Sequence, residues 1–194
     1  MGTVATLRPR AKQDFTYSLG MIIALGSWAM MFGALFFAYF GTRARATVWP
    51  PVGSPHLPLA MPALNTLVLL LSSMALMMGM RALRLGKRRE LAPWIGLAWI
   101  LGAAFIGLQF WVWRDLWLLG LLPSSSLYGS IFYGLTGLHA LHVVAGLIVL
   151  LVVLVRALRG EYTEHNAVRV SVCAMFWHFV DVVWVLMFLA VYVL

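Results

Sequence analysis

The sequence predicts an all-α fold, an integral membrane bundle of five transmembrane helices. Three observations carry that prediction. Only 10% of the residues are charged and 63% are hydrophobic, far from the roughly 25% charged of soluble domains. Five stretches, 19–40, 61–80, 93–113, 127–155 and 168–194, reach the length of about 20 apolar residues that crosses a bilayer. In hydrocarbon each span must satisfy its own backbone hydrogen bonds, so helices are the workable elements. The whole chain, 1–194, reads as a single transmembrane domain with no soluble domain left over.

Residues Met1–Ser18 read as a short polar tail. The first helix follows and ends at Arg43 and Arg45. Its apolar run is longer than a signal-peptide core and has no clear cleavage site after it, so it reads as a retained span. The segment from Trp49-Pro50-Pro51 through Pro58 reads as an extended external loop, since its four prolines forbid a helix interior. Pro62 suits the start of helix two. That helix carries Asn65, Ser72 and Gly79 at heptad spacing, with Thr66 and Ser73 beside them, a small and polar stripe of the kind that marks a helix–helix seam in membranes. Gly86-Lys87-Arg88-Arg89-Glu90 reads as a tight turn and Pro93 as the opening of helix three. Trp111, Trp113 and Trp117 form an aromatic belt at the end of helix three, with Arg114-Asp115 among them. Ser125 or Ser126 is placed to cap helix four. The fourth and fifth spans are long enough to tilt.

The net charge of +8 follows topology. Arg8, Arg10, Lys12, Arg81, Arg84, Lys87, Arg88, Arg89, Arg156, Arg159 and Arg169 fall on one side; Arg43, Arg45 and Arg114 fall on the other. The positive-inside rule then places the N-terminus in the cytoplasm and the C-terminus outside, as for a multi-pass protein of the bacterial inner membrane. This distribution argues against nucleic acid as a partner. Lone Cys173 has no partner for a disulfide and reads as a small buried apolar residue. The methionines Met74, Met77, Met78 and Met80 read as packing residues.

The chemistry-bearing groups lie in the last two spans. Asp181 is the one acid deep in an apolar run, a placement that costs roughly 2.5–3.5 kcal/mol at a helix centre. His178 lies three residues earlier on the same side of the helix. On helix four, Tyr128, Leu135, His139, His142 and Gly146 fall on one stripe; on helix five, Ser171, Ala174, His178, Asp181 and Val185 do. Polar groups in lipid need partners. Helices four and five are therefore expected to face one another, or a common interior, with His139, His142, His178 and Asp181 as an interhelical polar cluster flanked by Trp177 and Trp184. A bis-histidine haem would need rings on both sides of the iron, and His139 and His142 share a helix, so a b-type cytochrome anchor is the more distant reading. No metal is expected in this chain, which lacks a second carboxylate at depth.

Trp177-His178-Phe179-Val180-Asp181-Val182-Val183-Trp184 resembles the last-helix signature of the cytochrome c oxidase subunit III family. Gly137-Leu138-His139-Ala140-Leu141-His142-Val143-Val144-Ala145-Gly146-Leu147 is similar to the same family's histidine motif one helix earlier. Leu122-Pro123-Ser124-Ser125-Ser126-Leu127-Tyr128-Gly129-Ser130 resembles the entry into that helix, and Leu64-Asn65-Thr66 is a weaker match in the right order. The resemblance implies a non-catalytic subunit of an aerobic haem–copper terminal oxidase in its five-helix form. It implies subunits I and II as partners holding the haem and copper, no cofactor in this chain, and bound phospholipid. Arg81, Arg84 and Arg114 are the lipid headgroup candidates. The implied role is support of assembly, stability and proton uptake; an accessory subunit of a nitric oxide reductase or a quinol oxidase is the alternative. Two departures from the family pattern stand out. Trp28 and Ser171 occupy positions where the family usually has glutamate, so a carbodiimide-reactive proton antenna is not implied here.

Overall fold

The computed structural model describes residues 9–51, 59–124, 126–163 and 167–194. Among them are five helices: α1 (Pro9–Arg45), α2 (Ala60–Arg84), α3 (Arg88–Leu118), α4 (Leu127–Leu158) and α5 (Val168–Phe188), the last continuing into a wider π turn over Leu189–Val193. All five have spans long and apolar enough to cross a membrane, and no strand occurs among the described residues. The five spans expected from the sequence are present. The tail Met1–Arg8, most of the proline loop (52–58) and the candidate cap Ser125 lie outside the described residues, as do the side chains of Arg10 and Lys12.

Helices α2, α3 and α4 run on to Arg84, Leu118 and Leu158, past the expected ends at 80, 113 and 155, and two helix starts differ from the sequence expectation. Residues 9–18 belong to α1 rather than to a tail. Pro9 stands at the first helical position, where its missing N–H is no loss, and nothing after it interrupts the helix before Arg45. At 37 residues, α1 is about 55 Å long, well beyond the roughly 30 Å of hydrocarbon. Pro93 does not open helix three but sits inside it, because the α2–α3 turn is so short that α3 starts at Arg88. The proline forfeits one bond, to the Arg89 carbonyl, near the helix start where the loss is tolerated. The serine cap is resolved in favour of Ser126, whose side chain accepts from the Gly129 N–H at 3.0 Å.

Three helices end in the same device. Gly86, Gly120 and Gly160 adopt positive φ just past α2, α3 and α4. In each case the next N–H reaches back to a carbonyl five residues earlier: Lys87 to Ala82, Leu121 to Leu116, Glu161 to Arg156. This closes the orphan carbonyls of the last turn.

Helices α2, α3, α4 and α5 form a ring in which each touches the next, and α1 lies outside it against α5 and, more lightly, α4. Little of the α1 span is buried. At the centre of the ring stands Trp177 of α5, with no exposed surface. Its indole N–H donates to Ser72 Oγ of α2 at 3.1 Å, and Ser72 donates in turn to the Ala98 carbonyl of α3 at 2.8 Å. The ring itself lies over Gly102 of α3 and Gly146 of α4. A methyl group on either glycine would come within 2.7 and 2.8 Å of the indole respectively. One side chain thus touches all the other helices of the ring, and two glycines are the space it needs. Two turns on, Trp184 repeats the pattern. Its N–H donates to Thr66 Oγ1 of α2 at 2.9 Å, its ring meets Phe105 of α3 edge-on at 4.8 Å, and it leans on His139 of α4 at 5.3 Å.

Adding a methyl group against a fixed, fully buried ring is overpacking, which costs typically 1–3 kcal/mol. Gly102→Ala and Gly146→Ala should each lower the thermal midpoint of the detergent-solubilised chain accordingly. Gly107→Ala and Gly137→Ala, where a methyl meets nothing within 4 Å, should leave it unchanged or raise it slightly through helix propensity.

Candidate functional site

The acid of the fifth span finds its partner on α2, not on α4. Ser73 Oγ is hydrogen-bonded to Asp181 Oδ2 and lies 2.8 Å from His178 Nδ1. Ser73 and Asp181 are both buried and His178 is half-buried. A hydroxyl carries one proton. With Ser73 donating to the carboxylate, its oxygen is free to accept from His178 Nδ1–H, which leaves Nε2 as the bare nitrogen. Asp181 and His178 are therefore joined through a hydroxyl of the facing helix. With Thr66–Trp184 and Ser72–Trp177, this makes a polar seam running the length of the α2–α5 contact. In a bilayer core such bonds hold helices together where hydrophobic association cannot.

The expected four-residue cluster is thus divided, and the geometry of α5 explains why. At 100° per residue Trp177 and Trp184 point almost the same way, Asp181 is turned from them by about 50° and His178 by about 110°. The tryptophans point into the ring, Asp181 sits at its edge, and His178 reaches the α2 side. The tryptophans lie beside the polar stripe, on the face of α5 that points to the bundle's centre. Helices four and five do share a common interior, where His139 and Trp184 meet. His139 is fully buried among the rings of Phe32, Phe105 and Trp184, and neither ring nitrogen has a hydrogen-bond partner among the described residues. His142 Nδ1 lies 2.8 Å from the Leu138 carbonyl of its own helix. Its ring meets Trp28 and Phe32 of α1 edge-on, at 5.5 and 5.2 Å. The α4 histidines therefore belong to an aromatic contact that joins α1 to the ring, with Phe105 of α3 and Trp184 of α5 on its inner side.

Further groups complete the picture. The α3 helix supplies a buried amide that the sequence did not single out: Gln109 Oε1 accepts from Asn65 Nδ2 of α2 at 3.1 Å. The signal for it was present, since Asn65, Ser72 and Gly79 form the α2 stripe and all three meet α3. Trp28, at a position where glutamate was expected by resemblance, is also packed against Phe176 of α5 at 5.2 Å. Ser171 lines a groove between α2 and α5 of about 530 Å³, together with Arg81 and Arg84. Arg114 is exposed at the opposite end. No group of three or more His, Cys, Asp or Glu that could hold a metal occurs among the described residues.

Residues 10–194 match the profile of the family described as cytochrome c oxidase subunit III. A protein of Synechocystis sp. named cytochrome c oxidase subunit 3 is 36% identical over 90% of this chain and 74% of its own. A subunit 3 of the lancelet Branchiostoma floridae is 37% identical over 89% of this chain and 67% of its own. A probable cytochrome c oxidase subunit 3 of Mycobacterium tuberculosis is 38% identical over 98% and 95%.

The seam and the α4 histidines should be energetically separate. In a double-mutant cycle on the unfolding of the solubilised chain, Ser73→Ala and Asp181→Ala should couple by about 0.6–1.7 kcal/mol, the range for interhelical hydrogen bonds in membranes. Ser73→Ala and His139→Ala share no partner and should be additive within about 0.5 kcal/mol.

Proposed function

The chain belongs to the cytochrome c oxidase subunit III family, the accessory subunits of haem–copper oxidases, and from that premise we propose that its task is to supply a rigid, lipid-holding flank to the catalytic subunits. It is a multi-pass membrane protein and part of an oxidase complex. In the reading we favour, it sits in a bacterial inner membrane with its N-terminus in the cytoplasm, as the cation distribution of the chain supports. Subunit I is its main contact and subunit II a second. Haem and copper, when bound, supply the oxygen chemistry from those partners, and this chain's residues pack, seal and position.

The observation that carries the proposal is the α2–α5 seam. A buried carboxylate in a membrane span is expensive, and here Asp181 Oδ2 accepts from a serine of the facing helix, while Oδ1 has no hydrogen-bond partner among the described residues. Asp181, His178 and Ser73 work as a clamp between helices, with Trp177 and Trp184 beside them. His139 and His142 serve the α1 and α3 contacts. Support of proton uptake by the oxidase then comes from the shape the bundle lends its partner. Position 28 contributes an indole packed on His142 and Phe176 and no titratable group.

Removing one partner of a buried hydrogen-bonded pair costs about 1–3 kcal/mol. Asp181→Ala should therefore reduce, by roughly tenfold per 1.4 kcal/mol, the share of purified oxidase that retains this chain. The visible haem spectrum of whatever complex assembles should be unchanged. Full retention of the variant chain would sink the clamp reading. Failure of the wild-type chain to co-purify with any haem-bearing subunit would sink the partnership as well.

A further inference from the structure

Toward the end of the bundle where α1 stops and α4 begins, three buried polar groups have complementary needs. The amides of Asn65 and Gln109, 0% and 1% exposed, share one hydrogen bond. Asn65 Oδ1 and Gln109 Nε2 have no partner among the described residues. Neither has the buried Tyr192 hydroxyl, which lies beside Gln109 without a directed bond to it. Exchanging O and N in both amides changes nothing, since one acceptor and one donor would again be left over. Inside a membrane bundle such unpaired groups are costly. Tyr192 reaches this place through the π turn. Eight residues after Trp184, a regular α-helix would turn it about 80° away. The wider turn over Leu189–Val193 takes back part of that angle, and the ring meets the buried ring of Phe132 at 6.0 Å. Tyr192 also lines a cavity of about 220 Å³, with Tyr128, Trp49 and Arg43. Deeper in, Trp184 closes the space. It has no exposed surface, it meets Phe105 edge-on at 4.8 Å, and its N–H is taken by Thr66, the neighbour of Asn65.

We propose that Asn65, Gln109 and Tyr192 form a binding site for a buried water molecule, supplied from the cavity at Tyr128 and Tyr192 and stopped at Trp184. This end of the bundle interior is then a hydrated well with one mouth. The donor and acceptor types select the occupant. Water donates to Asn65 Oδ1, accepts from Gln109 Nε2 and takes either role with the Tyr192 hydroxyl. That makes three bonds, the usual number for a buried water. None of the three side chains is a carboxylate or a cationic group, so no ion is favoured, and an apolar occupant would leave all three groups unpaired. The cavity has room for several waters at about 30 Å³ each, so supply is not limiting. The bridge also has a structural consequence. It ties the end of α5 to the α2–α3 pair, a link that Tyr192 does not make by a direct hydrogen bond.

The test uses the full 194-residue chain, nitrogen-15 labelled and reconstituted in lipid bilayers, with magnetisation transferred from water to nitrogen in solid-state NMR. The Gln109 side-chain amide is expected to receive it several-fold faster than the indole nitrogen of Trp177, which is fully buried and bonded to Ser72. Equally slow transfer to both would overturn the proposal. Tyr192→Phe removes the one hydroxyl that could relay protons to Gln109 while both amides stay. Transfer to Gln109 should then remain within about twofold of wild type, and a fall to the Trp177 rate would overturn the proposal. A cryo-EM map of the oxidase carrying this chain, sharp enough to show waters, gives a second reading that needs no variant. It should contain a peak within hydrogen-bond distance of both Asn65 Oδ1 and Gln109 Nε2. Two amides closed on each other by two direct bonds, or Tyr192 bonded directly to Gln109 with nothing between them, would also overturn it.

Discussion

The indole of Trp177 is the contact through which the four-helix ring coheres. It issues from α5, hydrogen-bonds α2 through Ser72, and lies on the bare backbone of α3 at Gly102 and of α4 at Gly146. In a membrane the apolar side chains of neighbouring helices gain little from meeting one another rather than lipid. Close packing and polar bonds must therefore do what the hydrophobic effect does in water. Trp177 supplies both at one place, a large rigid surface fitted into glycine gaps and one N–H with a buried acceptor. Ser72 relays the bond onward to the Ala98 carbonyl, so three helices are pinned by a single chain of donors. Trp184 repeats the arrangement two turns along with Thr66, Phe105 and His139.

Around that centre the polar side chains are distributed by helix pair. The α2–α3 contact takes Asn65 with Gln109 and Ser72 with Ala98. The α2–α5 contact takes Ser73 with Asp181 and His178, and Thr66 with Trp184. Helix α2 is thus the polar strip of the bundle, presenting one row of donors and acceptors to each neighbour. Two rows of small polar residues, offset by one position, suffice for this because adjacent residues on a helix point about 100° apart.

The α4 histidines have a different environment and a different role. His139 and His142 are enclosed by aromatic rings from α1, α3 and α5, and it is there that α1, otherwise largely outward-facing, is attached. Trp28 is part of this attachment. A chain with glutamate at that position would bury a second costly carboxylate in the bundle; this one places a ring, so position 28 adds no titratable group to the α1 contact. The groove bounded by Arg81 and Arg84 lies on another side of the ring, between α2 and α5, and the two regions do not overlap.

The fold was legible in the sequence because its cause is simple. Runs of apolar residues of bilayer length admit one kind of element, and their number, order and approximate limits follow from composition alone. The outermost turns were less legible, since Pro9 and Pro93 punctuate a sequence without ending a helix when they stand near its start. For the site, the residue types and the two motifs were in plain view, and so was the α2 stripe. The pairing was not. Asp181 and His178 would be satisfied equally well by imidazoles on α4 or by a hydroxyl on α2, and periodicity says which residues share a face but not which helix that face meets. The tertiary structure decided it through the rotation of α5. Once Trp177 is seated between Gly102 and Gly146, the helix has no freedom left to turn, and Asp181 is carried to Ser73.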